Sequence, residues 1–324
     1  MEHKTSLGRS QLKVPRMGIG AMTWGDPHGL ARLHPAQTAY GGAHGFDEEK
    51  RALESSIAAG VDLFDTAAMY SGGAAERRLG ELARGQNVLI ASKFPGGFSF
   101  KTEDLPKELE ASLARLERSS IDLYQHHFPN KKVSIPKLMD LLADAVEAGK
   151  VKAVGVSNYS VEQMREAHAA LAKRGIPLAS NQVEYSLVHR QPETNGVLDA
   201  CRELGITLIA YSPLGMGALT GKYSATKKAT GLRRVMPNFK KKAMNAVEPV
   251  LELLRQIGER YSKTQSQVAL RWLIENPIVL PIPGAKNGKQ AMDNAGALTF
   301  SLTPEEVESL NVESLHQATM AWRV

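Results

Sequence analysis

Short runs of consecutive apolar residues alternate with longer stretches in which apolar positions recur every three or four residues, almost to the end of the chain. Val61-Asp62-Leu63-Phe64, Val88-Leu89-Ile90-Ala91 and Ile121-Asp122-Leu123-Tyr124 have the character of strands covered on both faces, as in a parallel sheet. Between such runs the helical period takes over: Leu105, Leu109, Leu113 and Leu116 share one face of a helix that Thr102 is expected to cap. Along the whole chain the pattern predicts strands over 16–24, 61–66, 88–94, 120–128, 152–157, 178–185, 206–212 and 278–283. Helices are predicted over 47–59, 74–84, 102–118, 136–148, 160–174, 194–204, 241–261, 264–276 and 287–298. Thr303-Pro304-Glu305-Glu306 reads as a capping box with proline at the first helical position, so one more helix follows. A chain of 324 residues has room for two smaller domains, yet eight strand-helix units with no break in composition predict a single α/β domain over 1–324. The expected fold is a (β/α)8 TIM barrel with extra helices after strand 7 and at the C-terminus.

Two connections are longer than barrels usually need: 25–47, rich in Gly, His and Pro, and 212–241. Both leave from the C-terminal ends of strands, where such barrels hold their chemistry. Between Gly221 and Lys242 the second connection carries Lys222, Lys227, Lys228, Arg233, Arg234, Lys240, Lys241 and Lys242 with no Asp or Glu. A solvated basic loop and a nucleic-acid contact are the alternatives to the preferred reading, a loop that closes over an anionic phosphate ligand. The formal net charge of +6 is local in this way and not spread along a face, which weighs against a nucleic-acid partner.

At 43% hydrophobic and 23% charged residues the chain is long enough for a large core. A single cysteine, Cys201, excludes an internal disulfide framework and reads as an apolar filler within a helix. Met1-Glu2-His3-Lys4-Thr5 lacks the apolar core of a signal peptide, and no uncharged apolar run approaches the roughly 20 residues that cross a bilayer. A soluble cytoplasmic protein with no membrane partner is expected, as a monomer or weak oligomer.

Candidate chemistry collects at strand ends. Asp65, Tyr70, Lys93 and His127 each sit at or just past the end of an apolar run, so neighbouring barrel strands would converge them at one mouth. Tyrosine, with an ordinary pKa near about 10, serves as a general acid near neutrality when a buried ammonium stabilises its phenolate. A carboxylate behind the ammonium keeps it charged and aimed. Tyr70, Lys93 and Asp65 supply these parts, and His127 adds a donor near a substrate oxygen; the set suits protonation of a carbonyl as hydride arrives at its carbon. Each member has a plainer alternative: Asp65 as a helix cap, Lys93 as a surface lysine. His126 and His127 are adjacent and strand side chains alternate, so at most one faces the mouth, and periodicity does not choose between them. No His-Glu-x-x-His, cysteine pair or Gly-x-Ser-x-Gly occurs, leaving zinc and serine-nucleophile mechanisms without support.

The strings Asp65-Thr66-Ala67-Ala68-Met69-Tyr70, Ile90-Ala91-Ser92-Lys93, Asp122-Leu123-Tyr124-Gln125-His126-His127-Phe128-Pro129 and Gly155-Val156-Ser157-Asn158-Tyr159 resemble signatures of the aldo-keto reductase superfamily. Asn181-Gln182-Val183-Glu184, Ala210-Tyr211-Ser212-Pro213-Leu214, Gln267-Val268-Ala269-Leu270-Arg271-Trp272 and Ile282-Pro283-Gly284-Ala285-Lys286 follow in order, so the resemblance runs from about Arg16 to Leu302. The ending Pro283-Gly284-Ala285-Lys286-Asn287 is similar to plant and bacterial members outside the aldose-reductase branch, of the plastid or pyridoxal-reductase type. The resemblance assigns the catalytic place to His127 and leaves His126 as an outward-facing or hydrogen-bonded strand residue.

It also implies a cofactor, NADPH, bound in extended form without a Gly-x-Gly-x-x-Gly loop; Gly18-Ile19-Gly20-Ala21-Met22 does not fit that fingerprint. Ser157, Asn158 and Gln182 match positions that hold the nicotinamide carboxamide, beside Asp65, and Tyr211 the aromatic that stacks on the ring. Ser212, Leu214 and the basic loop through Gly221 and Lys222 match the strap over the pyrophosphate, and Pro213 and Gly217 are also expected at the cofactor. Lys286 would pair with the 2′-phosphate, with Gln290 and Asn294 toward the adenine end, and Gly284, Asp293, Thr23 and Trp24 are further cofactor-binding positions. A lysine at 286 favours NADPH over NADH. Trp24, Met69, Phe94, Phe128 and Met216 are expected as apolar pocket walls beside Tyr70 and His127, with barrel core as the alternative for any of them, and the 25–47 loop is expected to shape specificity. The implied activity is NADPH-dependent reduction of an aldehyde or ketone by hydride transfer, with Tyr70 as general acid. The alternative is a cofactor-binding regulatory subunit comparable with potassium-channel β subunits.

Overall fold

The structure, a computed structural model, describes residues 4–26, 44–95, 100–130, 132–224 and 226–321, with side chains as far as 315. A two-stranded antiparallel hairpin comes first, β1 (Thr5–Ser6) with β2 (Lys13–Val14). Eight parallel strands follow: β3 (Ile19–Gly20), β4 (Leu63–Asp65), β5 (Leu89–Phe94), β6 (Ile121–His126), β7 (Val151–Ser157), β8 (Leu178–Glu184), β9 (Thr207–Tyr211) and β10 (Val279–Pro281). Each pairs with the next in chain order. The first also meets the last: Gly18 N donates to Pro281 O and Gly20 N to Pro283 O, both at 3.0 Å, closing the sheet into a barrel.

Helices separate the strands: α1 (Phe46–Ala58), α2 (Ala74–Leu82), α3 (Leu105–Leu116), α4 (Ile135–Glu147), α5 (Val161–Ala172) and α6 (Val197–Leu204). After β9 come three 3-10 turns between Gly215 and Phe239 and two helices, α7 (Lys241–Tyr261) and α8 (Gln265–Glu275). Past β10 lie α9 (Gly288–Ala295) and α10 (Pro304–Ala321). The barrel and both sets of additional helices are those the sequence pattern predicts. The capping box at α10 forms as expected, Thr303 N donating to Glu306 Oε2 at 3.0 Å and Glu306 N to Thr303 Oγ1 at 3.2 Å.

Side-chain alternation sorts the strands into two apolar layers. Leu63, Ala91, Leu123, Ala153, Ala179, Ile209, Leu280 and Ile282 fill the barrel interior. Their neighbours, among them Phe64, Ile90, Tyr124, Val154 and Leu208, join the larger layer under the helices. Leu7 and Val14 of the hairpin belong to the inner cluster, so the hairpin stoppers the N-terminal end of the barrel. Gly8 N anchors it by donating to Thr207 Oγ1 at 2.7 Å, and a side chain at Gly8 would come within 2.5 Å of Ala179 O. Two-residue strands carry no readable period, which is why the hydrophobic pattern gave no sign of this hairpin.

The largest differences from expectation are three. The first barrel strand contracts from 16–24 to Ile19–Gly20. Thr102 opens a 3-10 turn, Thr102–Asp104, and is not the cap of α3, which starts at Leu105 with proline at its second position. The helix expected over 194–204 begins only at Val197: Gly196, at φ 80°, separates it from a preceding turn at Gln191–Thr194. Most of the 25–47 connection, from 27 to 43, lies outside the described residues, and its expected part in specificity with it.

Candidate active site

Three adjacent strands supply the centre. Inward alternation that buries Leu63, Ala91 and Leu123 also turns Asp65, Lys93 and Gln125 into the barrel, one or two steps nearer the C-terminal mouth. Lys93 is 0% exposed; its Nζ donates to Asp65 Oδ1 at 2.5 Å and Thr66 O at 2.7 Å. The same ammonium stands 4.9 Å from the centre of the Tyr70 ring. Asp65 Oδ2 accepts from Gln182 Nε2 at 2.9 Å and Gln125 Nε2 at 3.3 Å, so the carboxylate is held by three side chains. Gln125 had no role assigned from sequence, although its spacing of two from His127 places both on one strand face.

Electrostatics of the group follow from burial and one well-placed pair. Burial pulls the Lys93 pKa down, but the Asp65 carboxylate, then Tyr70, outweigh it, and the net direction is up. Lys93 is therefore a permanent ammonium. Burial also dominates at Tyr70 and raises its pKa; Lys93 opposes this without reversing it. The expected lowering by Lys93 is present as an opposing effect, and the resting phenol keeps its proton.

His127 follows β6, its ring edge-on to Tyr70 at 5.6 Å and stacked on Phe128 at 4.4 Å. Burial first, then the charge of Lys93, push it down to about 2, so it is a neutral imidazole, and its Nδ1 is buried without a partner. His126 faces the other way. It stacks on Phe94 at 5.1 Å, its Nδ1 lies 2.8 Å from the Tyr159 hydroxyl, and burial pushes it down to about 4. The structure thus brings His127, and not His126, to Tyr70.

Around the mouth, Ser157 Oγ donates to Gln182 O at 2.8 Å, and Asn158 Nδ2 donates to His127 O at 3.1 Å. Tyr211 OH donates to Asn158 Oδ1 at 3.1 Å, linking the ends of β9 and β7. Asn158 (φ 61°), Ser212 (φ 49°) and Met216 (φ 56°) all have left-handed backbones at or just beyond these strand ends. Such conformations cost energy in residues other than glycine and tend to gather where a ligand shapes the chain.

Further out, Lys286 follows β10 and is pushed down to about 8, first by burial and then by the positive charges of Arg233 and Lys222. Arg233, which the sequence marked only as part of a basic run, is drawn inward by a 2.9 Å hydrogen bond from its Nε to Met216 O. Gln290 Oε1 accepts from Lys286 N at 3.0 Å, and Asn294 Nδ2 donates to Gly284 O at 3.2 Å; both shape the turn that presents the lysine. Asp293 instead pairs with Lys289 on its own helix at 2.8 Å. Pro213 is buried, while Leu214 and Gly217 are half-buried and Lys222 is exposed along the connection after β9.

Two of the expected pocket walls, Phe94 and Trp24, take the alternative place in the core. Phe94 is 0% exposed and packs among Tyr124, Phe100 and His126, because inward-facing Lys93 forces its neighbour outward. Trp24 is equally buried, its ring against Phe64 and its Nε1 donating to Ala285 O at 2.8 Å. Thr23 beside it is buried as well. Met69 and Phe128, flanking Tyr70 and His127 in sequence, remain 45% and 42% exposed, the availability a substrate wall requires. Met216 is half-buried.

One more mouth residue escaped notice. Glu184 ends β8 two residues after inward-facing Gln182, paired in register with Tyr211. Burial alone raises its pKa to about 7, and among the described residues it has no hydrogen-bonding or ionic partner.

Comparison with known proteins matches residues 16–312 to the Aldo/keto reductase family. The chain is 36% identical over 312 residues to the chloroplastic pyridoxal reductase of Arabidopsis thaliana, covering 91% of this chain and 82% of that protein. It is 33% identical over 312 residues to aldo-keto reductase str7 of Strobilurus tenacellus, covering 93% and 89%. Among solved structures, the aldo-keto reductase from Klebsiella pneumoniae in complex with NADPH superposes with a TM-score of 0.75 at 26% identity, covering 100% of both chains.

Proposed function

The chain belongs to the aldo/keto reductase family, an assignment that supports carbonyl reduction in general, and from it we propose an NADPH-dependent reductase of aldehydes or ketones with Tyr70 as general acid. One observation carries the proposal: the fully buried Lys93 ammonium held between the Asp65 carboxylate and the Tyr70 ring. A buried ammonium at this depth needs a reason beyond stability, since an apolar residue would pack there without a desolvation cost.

The residues fit the cofactor. Lys286, Arg233 and Lys222 stand close enough to depress one lysine, a repulsion that a phosphate dianion would relieve. The Klebsiella pneumoniae relative is complexed with NADPH, which favours the same choice here. NADPH, when bound, supplies the hydride. Ser157, Asn158 and Gln182 would hold its carboxamide, and the half-buried Tyr211 its ring face.

Tyr70 keeps its proton at neutral pH and gives it to the substrate oxygen as negative charge develops there. Lys93 stabilises the phenolate left behind, and Asp65, fixed by Gln125 and Gln182, keeps Lys93 aimed. Neutral His127 orients the carbonyl oxygen as a hydrogen-bond donor; with Nδ1 unpaired inside the protein, the proton belongs on Nε2. Met69 and Phe128 offer an apolar flank, so flat aromatic aldehydes, pyridoxal among them, head the substrate panel.

The test is loss of the NADPH absorbance band with aldehydes and ketones. Lys93→Met and Tyr70→Phe should each abolish turnover in folded protein, and a near-normal rate in either would refute the assignment. Cofactor binding with no turnover on any carbonyl compound would favour a regulatory subunit instead.

A further inference from the structure

Behind Lys93, in the layer between sheet and helices, lies a second buried charge that the mechanism above does not use. Glu76 in the first turn of α2 is 0% exposed. Its Oε1 accepts from Ser92 Oγ at 2.5 Å, and its Oε2 from Arg115 Nε on α3 at 2.5 Å. Arg115 also donates to Ser112 Oγ at 3.2 Å. Three elements, α2, β5 and α3, are joined at one carboxylate.

The place of that carboxylate matters. Ser92 and Lys93 are consecutive on β5, so the strand that points Lys93 into the barrel points Ser92 out toward Glu76. Tyr70 reaches the same strand from the other side of a tight turn, Tyr70–Gly73, in which Ser71, Gly72 and Gly73 all have positive φ (52°, 64° and 85°). The chain entering the turn is tied to β5 by Ala68 N, which donates to Lys93 O at 2.9 Å, and the first turn of α2 ties the chain leaving it. Gly73 has no spare room either, since a Cβ there would lie 2.8 Å from Arg115 Cδ. A closed circuit results: Tyr70, its turn, Glu76, Ser92, Lys93 and back to Tyr70.

A buried ion pair is rarely more stabilising than apolar residues of the same shape, and its best-attested use is to specify one arrangement over others. We propose that Glu76 is a positioning residue for the Tyr70–Lys93 pair: by clamping α2 to Ser92 and Arg115 it fixes the far end of the Tyr70 turn, as Ala68 fixes the near end, and the two together set the separation between phenol and ammonium. The proposal rests on the catalytic reading of Tyr70 given above. When the clamp loosens, Lys93 stabilises the phenolate less, and the Tyr70 pKa rises further from its ordinary value.

Glu76→Gln keeps the size and an acceptor for Ser92 but removes the charge facing Arg115. Relative to wild type, kcat should fall about tenfold while the KM for NADPH changes less than about twofold. The basic limb of the pH profile for carbonyl reduction should move up by about half a pH unit or more. Leu109→Ala, a buried cut in α3, is the control: it lowers stability without moving that limb. An activity-independent readout uses fluorotyrosine-labelled protein, its Tyr70 signal assigned by Tyr70→Phe and titrated by fluorine NMR; the midpoint should be higher in Glu76→Gln. Should Glu76→Gln not fold, Ser92→Ala tests the same clamp and should shift the midpoint in the same direction. An unshifted midpoint in the folded variant, or a pH limb that moves as much in Leu109→Ala, overturns the positioning role. Absence of turnover in the wild type would refute the catalytic reading and leave the titration to decide on Glu76.

Discussion

Glu184 provides the sharpest test of the mouth's electrostatics, because its environment contains burial and little else. The carboxyl has an ordinary pKa of 4.5 and is raised to about 7 in the folded protein, by desolvation alone. Below the ordinary value, folded and unfolded chains both hold the proton and the residue has no effect on stability. As the pH rises from about 4.5 to about 7 the unfolded chain ionises while the folded one resists, so stability is lost across that window. At about 1.4 kcal/mol per pH unit, a rise of that size gives roughly 3 kcal/mol as a ceiling, and screening at the partly exposed edge brings the expected loss to about 2 kcal/mol. Glu184→Gln has the same shape and no charge. Urea unfolding of both proteins without cofactor, at about pH 4.5 and about pH 8, isolates the effect, because other titrating groups cancel between them. The variant should match wild type at the lower pH and exceed it by about 2 kcal/mol at the higher. Equal differences at the two pH values would show that the carboxylate is solvated or paired, and would refute the reasoning.

Lys286→Gln should raise the KM for NADPH about tenfold or more and leave that for NADH nearly unchanged; equal effects on the two would exclude a 2′-phosphate contact. Gly155→Ala should destabilise the protein by about 1–3 kcal/mol in thermal or urea unfolding and slow turnover, since overpacking reaches the side chains behind Asp65. The new Cβ would stand 2.3 Å from Ser180 Oγ and 2.9 Å from Gln125 Cγ, and an unchanged melting point would show that this interior is looser than the geometry implies. His127, pushed down to about 2, stays neutral through the working range, so His127→Asn should slow reduction without moving any limb of the pH–rate profile between about pH 5 and 8. A limb near neutrality that disappears with His127 would contradict the neutral imidazole.

The hydrophobic pattern was enough for the architecture: eight apolar runs at regular spacing leave few alternatives to a closed parallel barrel, and α7, α8 and α10 fall where the period changes. It failed at the hairpin Thr5–Val14 and at Gly196, where two-residue strands and a single left-handed residue leave no periodic trace. Asp65, Tyr70, Lys93 and His127 were legible as strand-end polar residues, because strand ends have fixed places in a barrel. Their partners were less so. Phe94 and Trp24 look like pocket walls from adjacency, but Phe94 follows inward-facing Lys93 on its strand and so faces the opposite layer, while Trp24, in the turn after β3, is buried with its Nε1 on Ala285 O.

By itself the sequence determined the strand and helix order and the residue types at the mouth, because these depend on local period and on motif spacing. Only the tertiary structure decided which groups share a charge environment. Gln125 and Gln182 meet at Asp65 across 57 residues, the charges of Arg233 and Lys222 act on Lys286 from a separate loop, and Glu76 reaches Ser92 and Arg115 from a helix. Desolvation and Coulomb forces depend on distance in space and on the water excluded between groups, quantities that a linear chain does not contain until the barrel closes.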